Sequence, residues 1–160
     1  SSGAAEQGWD LTLEASSDLI GVDGLTLYGG ISQVDQYVNA TTVNGNRDET
    51  VVGAKYAAGA FTVGYQWTDE DTGLTASTNY ENTSYSITFN VNDDLSIGYA
   101  HTESDKQGDA DTAEADSIQA AYTMGGATFR IAEVDVTNQA YSSAATADLD
   151  ATIISLGLAF

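Results

Sequence analysis

The stretch A57-A-G-A-F-T-V-G-Y-Q-W-T68 decides the reading of this chain. From Phe61 onward, Phe61, Val63, Tyr65 and Trp67 fall on one side of an extended backbone and Thr62, Gly64, Gln66 and Thr68 on the other. Side chains of a strand alternate between two faces, so this is a strand with one greasy and one small, polar face. The preceding Ala-Ala-Gly-Ala supplies the glycine that a tight hairpin needs. The residues before it, Thr50-Val-Val-Gly-Ala-Lys-Tyr-Ala-Ala58, read as its partner, with a looser alternation.

The same period of two recurs along the whole chain. Tyr85, Ile87, Phe89 and Val91 oppose Ser86, Thr88, Asn90 and Asn92. Leu95, Ile97 and Tyr99 oppose Ser96, Gly98 and Ala100, and Ile118, Ala120, Tyr122 and Met124 oppose Gln119, Ala121 and Thr123. Trp9, Leu11 and Leu13 open the series and Ile154, Leu156, Leu158 and Phe160 close it. Nine strands are expected, over 8–16, 25–35, 50–58, 61–70, 82–92, 95–104, 116–124, 127–138 and 150–160. Within 127–138 the phase changes, because Val134 and Val136 fall opposite Phe129 and Ile131; a bulge near Ala132 would reconcile them. The fold class is all-β and antiparallel, with no helical stripe.

Connections alternate in length. Tight turns are expected around Gly59, Asp93 and Gly125-Gly126, and between them lie long polar loops over 36–49, 71–81, 104–115 and 138–149. An up-and-down meander with short turns at one end and long loops at the other is the pattern of a transmembrane β-barrel of the outer-membrane type. In lipid every backbone N–H and C=O must be paired within the protein, so such a sheet closes on itself, apolar outside and polar inside.

Composition narrows the function. The 160 residues carry 24 Asp and Glu against four Lys and Arg, a formal net charge of -20, which excludes a nucleic-acid partner. Fifteen aromatic residues in the form of nine Tyr, four Phe and two Trp argue against acidic disorder. There is no Cys, hence neither a disulfide framework nor a cysteine zinc site. No apolar run is long enough for a transmembrane helix. The first residues have no signal-peptide character, which reads as a mature form or an excerpt.

These features together resemble the C-terminal half of an alphaproteobacterial general diffusion porin, most specifically in the terminal strand with Ile154, Leu156, Leu158 and Phe160. That stretch is similar to the assembly signal read by the outer-membrane assembly machinery. The resemblance implies a water-filled channel for passive diffusion of small hydrophilic solutes and ions, a homotrimer, and a setting of lipid bilayer and lipopolysaccharide in the outer membrane of a Gram-negative cell. Because a single-chain barrel needs an even number of strands, the nine here are expected to be the last part of a 16-stranded barrel, without the constriction loop of the family's N-terminal half. Aromatic belts are expected from Tyr56, Phe61, Tyr122, Phe129 and Phe160 at the turn end and from Trp9, Trp67 and Tyr85 at the other.

The pore-lining candidates are Thr12, Glu14, Lys55, Thr62, Gln66, Thr88, Asn90, Gln119, Thr123 and Arg130. Charge on a lumen wall favours counter-ions, so the acidic excess predicts cation preference unless most carboxylates sit on external loops. In Glu103–Asp116 the carboxylates Asp109, Asp111, Glu114 and Asp116 are a weak Ca²⁺ candidate, without EF-hand spacing. With His101 as the single histidine, no catalytic triad is built and no enzyme activity is expected. Two other architectures fit less of the pattern: a complete eight-stranded outer-membrane barrel over 25–160 with a structural or surface role, and a secreted acidic Ca²⁺-binding β-sandwich adhesin.

Overall fold

In a computed structural model, residues 7–35, 45–73 and 79–158 are described. They form one antiparallel sheet in which every strand pairs with its neighbour in sequence. The strands are β1 (Gly8–Ala15), β2 (Leu25–Val34), β3 (Arg47–Ala58), β4 (Phe61–Asp71), β5 (Asn79–Asn90), β6 (Leu95–Lys106), β7 (Ala113–Met124), β8 (Ala127–Thr137) and β9 (Leu149–Leu158). All nine expected strands are present. Three begin nearer the loops than the sequence pattern indicates, at Arg47, Asn79 and Ala113 rather than at 50, 82 and 116. There most side chains are charged or polar and read as loop, yet the ladder continues through them.

The turns explain why the sheet folds back where it does. Gly59 and Gly125 each take the first central position of a two-residue connection with φ of 59°, the left-handed start of a type II′ turn that matches strand twist. Between β5 and β6 the chain turns on Asn92, whose side-chain oxygen accepts from the backbone of Asp94 at 2.9 Å and of Leu95 at 2.8 Å. These three tight turns lie at one end. A longer connection at that same end, between β1 and β2, contains the short helix α1 (Ser17–Ile20), closed by Gly21 in the left-handed region. The other end carries the long connections, including 107–112 and 138–148.

The β7–β8 and β8–β9 registers run without interruption through Ala132, which pairs with Gln119 and Ile153. The expected bulge is therefore absent. Strict alternation instead puts Glu133 and Asp135 on the face of Phe129 and Ile131, and Val134 and Val136 on the face of Arg130. The greasy face ends part-way up each strand, and beyond that level neither face is constrained to be apolar.

No two-layer core exists: among the described residues no side chain is fully buried, and Ile118, Ile154 and Leu156 are 67%, 64% and 64% exposed. A single sheet with one uncovered apolar face is not a sandwich, which would bury that face between two sheets. The eight-stranded alternative also fails, since β1 occupies the edge of β2 through eight residue pairs and β2 is not adjacent to β9. The sheet is open. Its edges, β1 and β9, both run from the loop end to the turn end, so joining them directly would make a parallel pair.

Candidate functional site

Because pairing is in register throughout, each strand residue can be assigned to a face. Apolar side chains dominate the turn-end part of one face, here called outer: Leu11 and Leu13 on β1, Val63 and Tyr65 on β4, Ile87 and Phe89 on β5, Ile97 and Tyr99 on β6, and Ile154, Leu156 and Leu158 on β9. The opposite, inner face is the more covered one. On β4 Phe61, Val63 and Tyr65 are exposed, while Thr62, Gly64 and Gln66 are half-buried. Inner side chains also reach across strands, as expected of a concave surface.

All ten sequence-derived candidates, Thr12, Glu14, Lys55, Thr62, Gln66, Thr88, Asn90, Gln119, Thr123 and Arg130, lie on the inner face. Thr62 pairs directly with Thr88, and Thr123 with Thr128, their hydroxyls 3.1 Å apart. A polar ladder continues between strands: Asn82 donates to Thr68 at 3.0 Å, and the hydroxyls of Ser84 and Thr102 are 3.0 Å apart. Tyr28 reaches from β2 over β3 to donate to Gln66 Oε1 at 3.0 Å. The ring passes over Gly53, where a Cβ would stand only 2.2 Å from it. Gly53 is thus required as a gap in the wall.

The charges sort by face. All four basic residues, Arg47, Lys55, Lys106 and Arg130, are inner, as are Asp10, Glu14, Glu49 and Glu70, so the formal charges of the inner strand face cancel. The outer strand face carries no Lys or Arg and holds Asp48, Asp69, Asp71, Glu81, Glu103, Asp105, Glu114, Asp116, Glu133, Asp135 and Asp150. All of these lie toward the loop end, beyond the apolar band. Sequence reasoning offered only lumen or loop as the place for the acidic excess; much of it is on the strands, facing out.

On the inner face Arg47 bridges Glu49 at 2.8 Å and Glu70 at 2.9 Å. Glu49 and Glu70, with Asp10 and Gly30, line a groove of about 490 Å³ at the loop end of β1–β5. Lys106 pairs with Asp109. Lys55 and Arg130, nearer the turns, have no ion-pair partner among the described residues.

The aromatic belts fall on the outer face. Tyr56, Phe61, Tyr122 and Phe129 lie toward the turns, joined by Phe89, whose ring centroid is 4.7 Å from that of Phe61. Trp9, Trp67 and Tyr85 lie toward the loops. There His101 stacks on Tyr85 at 4.9 Å, its ring nitrogens 2.8 Å from Asp116 and 3.2 Å from Glu103, and Tyr99 also donates to Asp116. Both imidazole nitrogens are thus engaged by carboxylates.

The four Ca²⁺ candidates are not brought together. Asp109 binds Lys106, Asp111 accepts from the backbone of Ser143 at 2.9 Å, and Glu114 and Asp116 stand on the outer face of β7. Among the described residues no group of three or more acidic or histidine side chains is arranged to hold a metal ion. Of the terminal-strand set, Ile154, Leu156 and Leu158 share the outer face of β9, while Phe160 lies outside the described residues. The residues that sequence reasoning missed are Tyr28, Tyr80, Ser104, Lys106 and Tyr141. For Tyr28 a signal was available, an aromatic residue at a polar-face position; for Tyr141 there was none.

No protein-family model matches this sequence, and no curated protein matches it. Among solved structures the chain is similar to the outer-membrane expressed OmpT of Vibrio cholerae, with 13% identity and a TM-score of 0.58, over 94% of this chain and 53% of that one. The fold, an open nine-stranded antiparallel meander, is accordingly similar to that of an outer-membrane β-barrel, and the chain spans about half the length of that protein.

Proposed function

We propose that this chain is part of the wall of an outer-membrane porin, a water-filled barrel through which small hydrophilic solutes and ions diffuse passively. The observation that carries the reading is the sorting of side chains: an uncovered apolar band with aromatic rows on one face, and on the other a hydroxyl- and amide-rich surface holding every basic residue. Hydrocarbon on one side and water on the other is the environment in which both faces are stable. The resemblance to alphaproteobacterial general diffusion porins supports the same reading, and with it a trimer in the outer membrane, delivered by the assembly machinery.

Nine strands form part of the barrel, and an odd number of further strands gives β1 and β9 antiparallel partners. About sixteen strands leave an aqueous channel, whereas eight are filled by their own side chains. Cation preference, in this reading, arises from acidic residues around the mouth, such as Asp109, Asp111 and Asp148, because the inner strand face is balanced in charge. The chain has no catalytic role in this account.

The test is reconstitution of the full-length protein in planar bilayers, together with electrophoresis of boiled and unboiled samples. Stepwise conductance and a heat-dependent shift in apparent mass are expected. A protein that is fully soluble without detergent and never conducts overturns the proposal.

A further inference from the structure

The connection between β8 and β9 does not stand away from the sheet. Asn138 donates from its side chain to the carbonyl of Thr112 at 2.9 Å, and the backbone of Ser143 donates to Asp111 at 2.9 Å, tying both limbs to the β6–β7 connection. Between them Tyr141 crosses the loop-side rim of the inner face. Its hydroxyl lies 2.9 Å from that of Ser104, its ring centroid is 5.8 Å from that of Tyr80 on β5, and Lys106 Nζ stands 5.4 Å from it. Tyr80, Ser104 and Lys106 all project from the inner face. A loop rooted on β8 and β9 therefore reaches over β7 to β6 and β5.

The backbone is bent to permit this. Asn138, Ala140 and Tyr141 have φ of 53°, 59° and 58°, and none is glycine. Left-handed backbone at a residue with a Cβ costs about 1–2 kcal/mol, and it persists where surrounding contacts over-determine it. Here those contacts are the three anchors just described. The cost falls on three residues within four positions, one of which carries the aromatic ring inward.

We infer that the β8–β9 loop is a size-selecting strap across the mouth of the channel, with Tyr141 as its specificity-determining residue. Tyr141 presents a flat ring and a hydroxyl beside the Lys106 ammonium, so it admits narrow hydrophilic solutes along this part of the wall and obstructs broad ones. The inference rests on the porin reading, and it makes a claim that reading does not: the obstruction is carried by one side chain and by its contact with Ser104.

Two measurements on the full-length protein separate the two claims. In bilayers, Tyr141→Ala and the milder Ser104→Ala are each compared with the unaltered protein. Single-channel conductance is expected to rise, about twofold for Tyr141→Ala, and less for Ser104→Ala. Second, Ser84→Cys, an inner-face position about 13 Å below Tyr80 along β5, is labelled from outside with a small and a bulky membrane-impermeant thiol reagent. The added Tyr141→Ala change is expected to accelerate the bulky reagent severalfold and the small one little. Equal conductance and equal labelling in a conducting protein overturn the strap and leave the porin reading standing. An unaltered protein that never conducts overturns the porin reading and with it a selective role for the strap.

Discussion

Tyr28 and Gln66 meet across an intervening strand, the phenolic hydroxyl donating at 3.0 Å over the space left by Gly53. The contact ties β2 to β4 on the inner face independently of the backbone ladder. Gly53→Val would place carbon where the Tyr28 ring lies, and the ring must leave. Overpacking of this kind costs about 1–3 kcal/mol. A lower unfolding midpoint in urea is expected, with Tyr28→Phe, which keeps the ring and loses only the hydrogen bond, closer to the unaltered protein. Equal midpoints for Gly53→Val and the unaltered protein would sink the idea that the gap is structural.

Adjacent residues on β5 offer a controlled comparison of the two faces. Ile87 is in the outer apolar band and Ser86 next to it is inner. A lysine at a lipid-facing position near the bilayer centre costs about 2–4 kcal/mol. Ile87→Lys is expected to reduce the folded fraction on unboiled gels, and Ser86→Lys to leave it unchanged while altering ion selectivity. If both fold equally well, the outer face is not in lipid.

Selectivity should divide into two parts with different salt dependence. Mouth carboxylates act through water, and the screening length shrinks from about 10 Å at 0.1 M to about 3 Å at 1 M. Cation preference from reversal potentials is therefore expected to fade as salt rises. Lys55→Glu and Arg130→Glu alter wall positions with no paired acid among the described residues, and each should raise cation preference at low and at high salt. Reversal potentials unmoved by either change would mean that these two side chains do not face the permeating ions.

Gly125 begins the β7–β8 turn with φ of 59°. Gly125→Val forces a β-branched residue into left-handed backbone at about 1–2 kcal/mol, whereas Gly126→Ala, whose position does not need positive φ, should be tolerated. The readout is the yield of heat-modifiable protein after refolding into detergent, reduced for the first variant only. Similar yields for the two would show that the turn tolerates a side chain at either position.

Much of the fold is legible in the residues alone. The alternation in Phe61–Thr68 and Tyr85–Asn92 specified both strand and face, because a strand has period two and its two faces here differ in polarity. The inner placement of Lys55, Gln66 and Arg130 followed from that single rule. The rule lost its grip at Glu133–Val136, where the strand rises past the apolar band and a continuous register resembled a phase error. It was silent on the outward acidic residues for the same reason. The reach of Tyr141 was beyond it altogether, since loop contacts to Ser104 and Tyr80 depend on tertiary closeness between segments far apart in sequence.

The two edge strands, β1 and β9, point the same way. In the barrel reading proposed above, this parity has a consequence for like halves: two copies of the sheet in the same orientation offer each other only parallel edges, whereas an odd number of further strands would extend to both edges the antiparallel ladder that joins all the described strands.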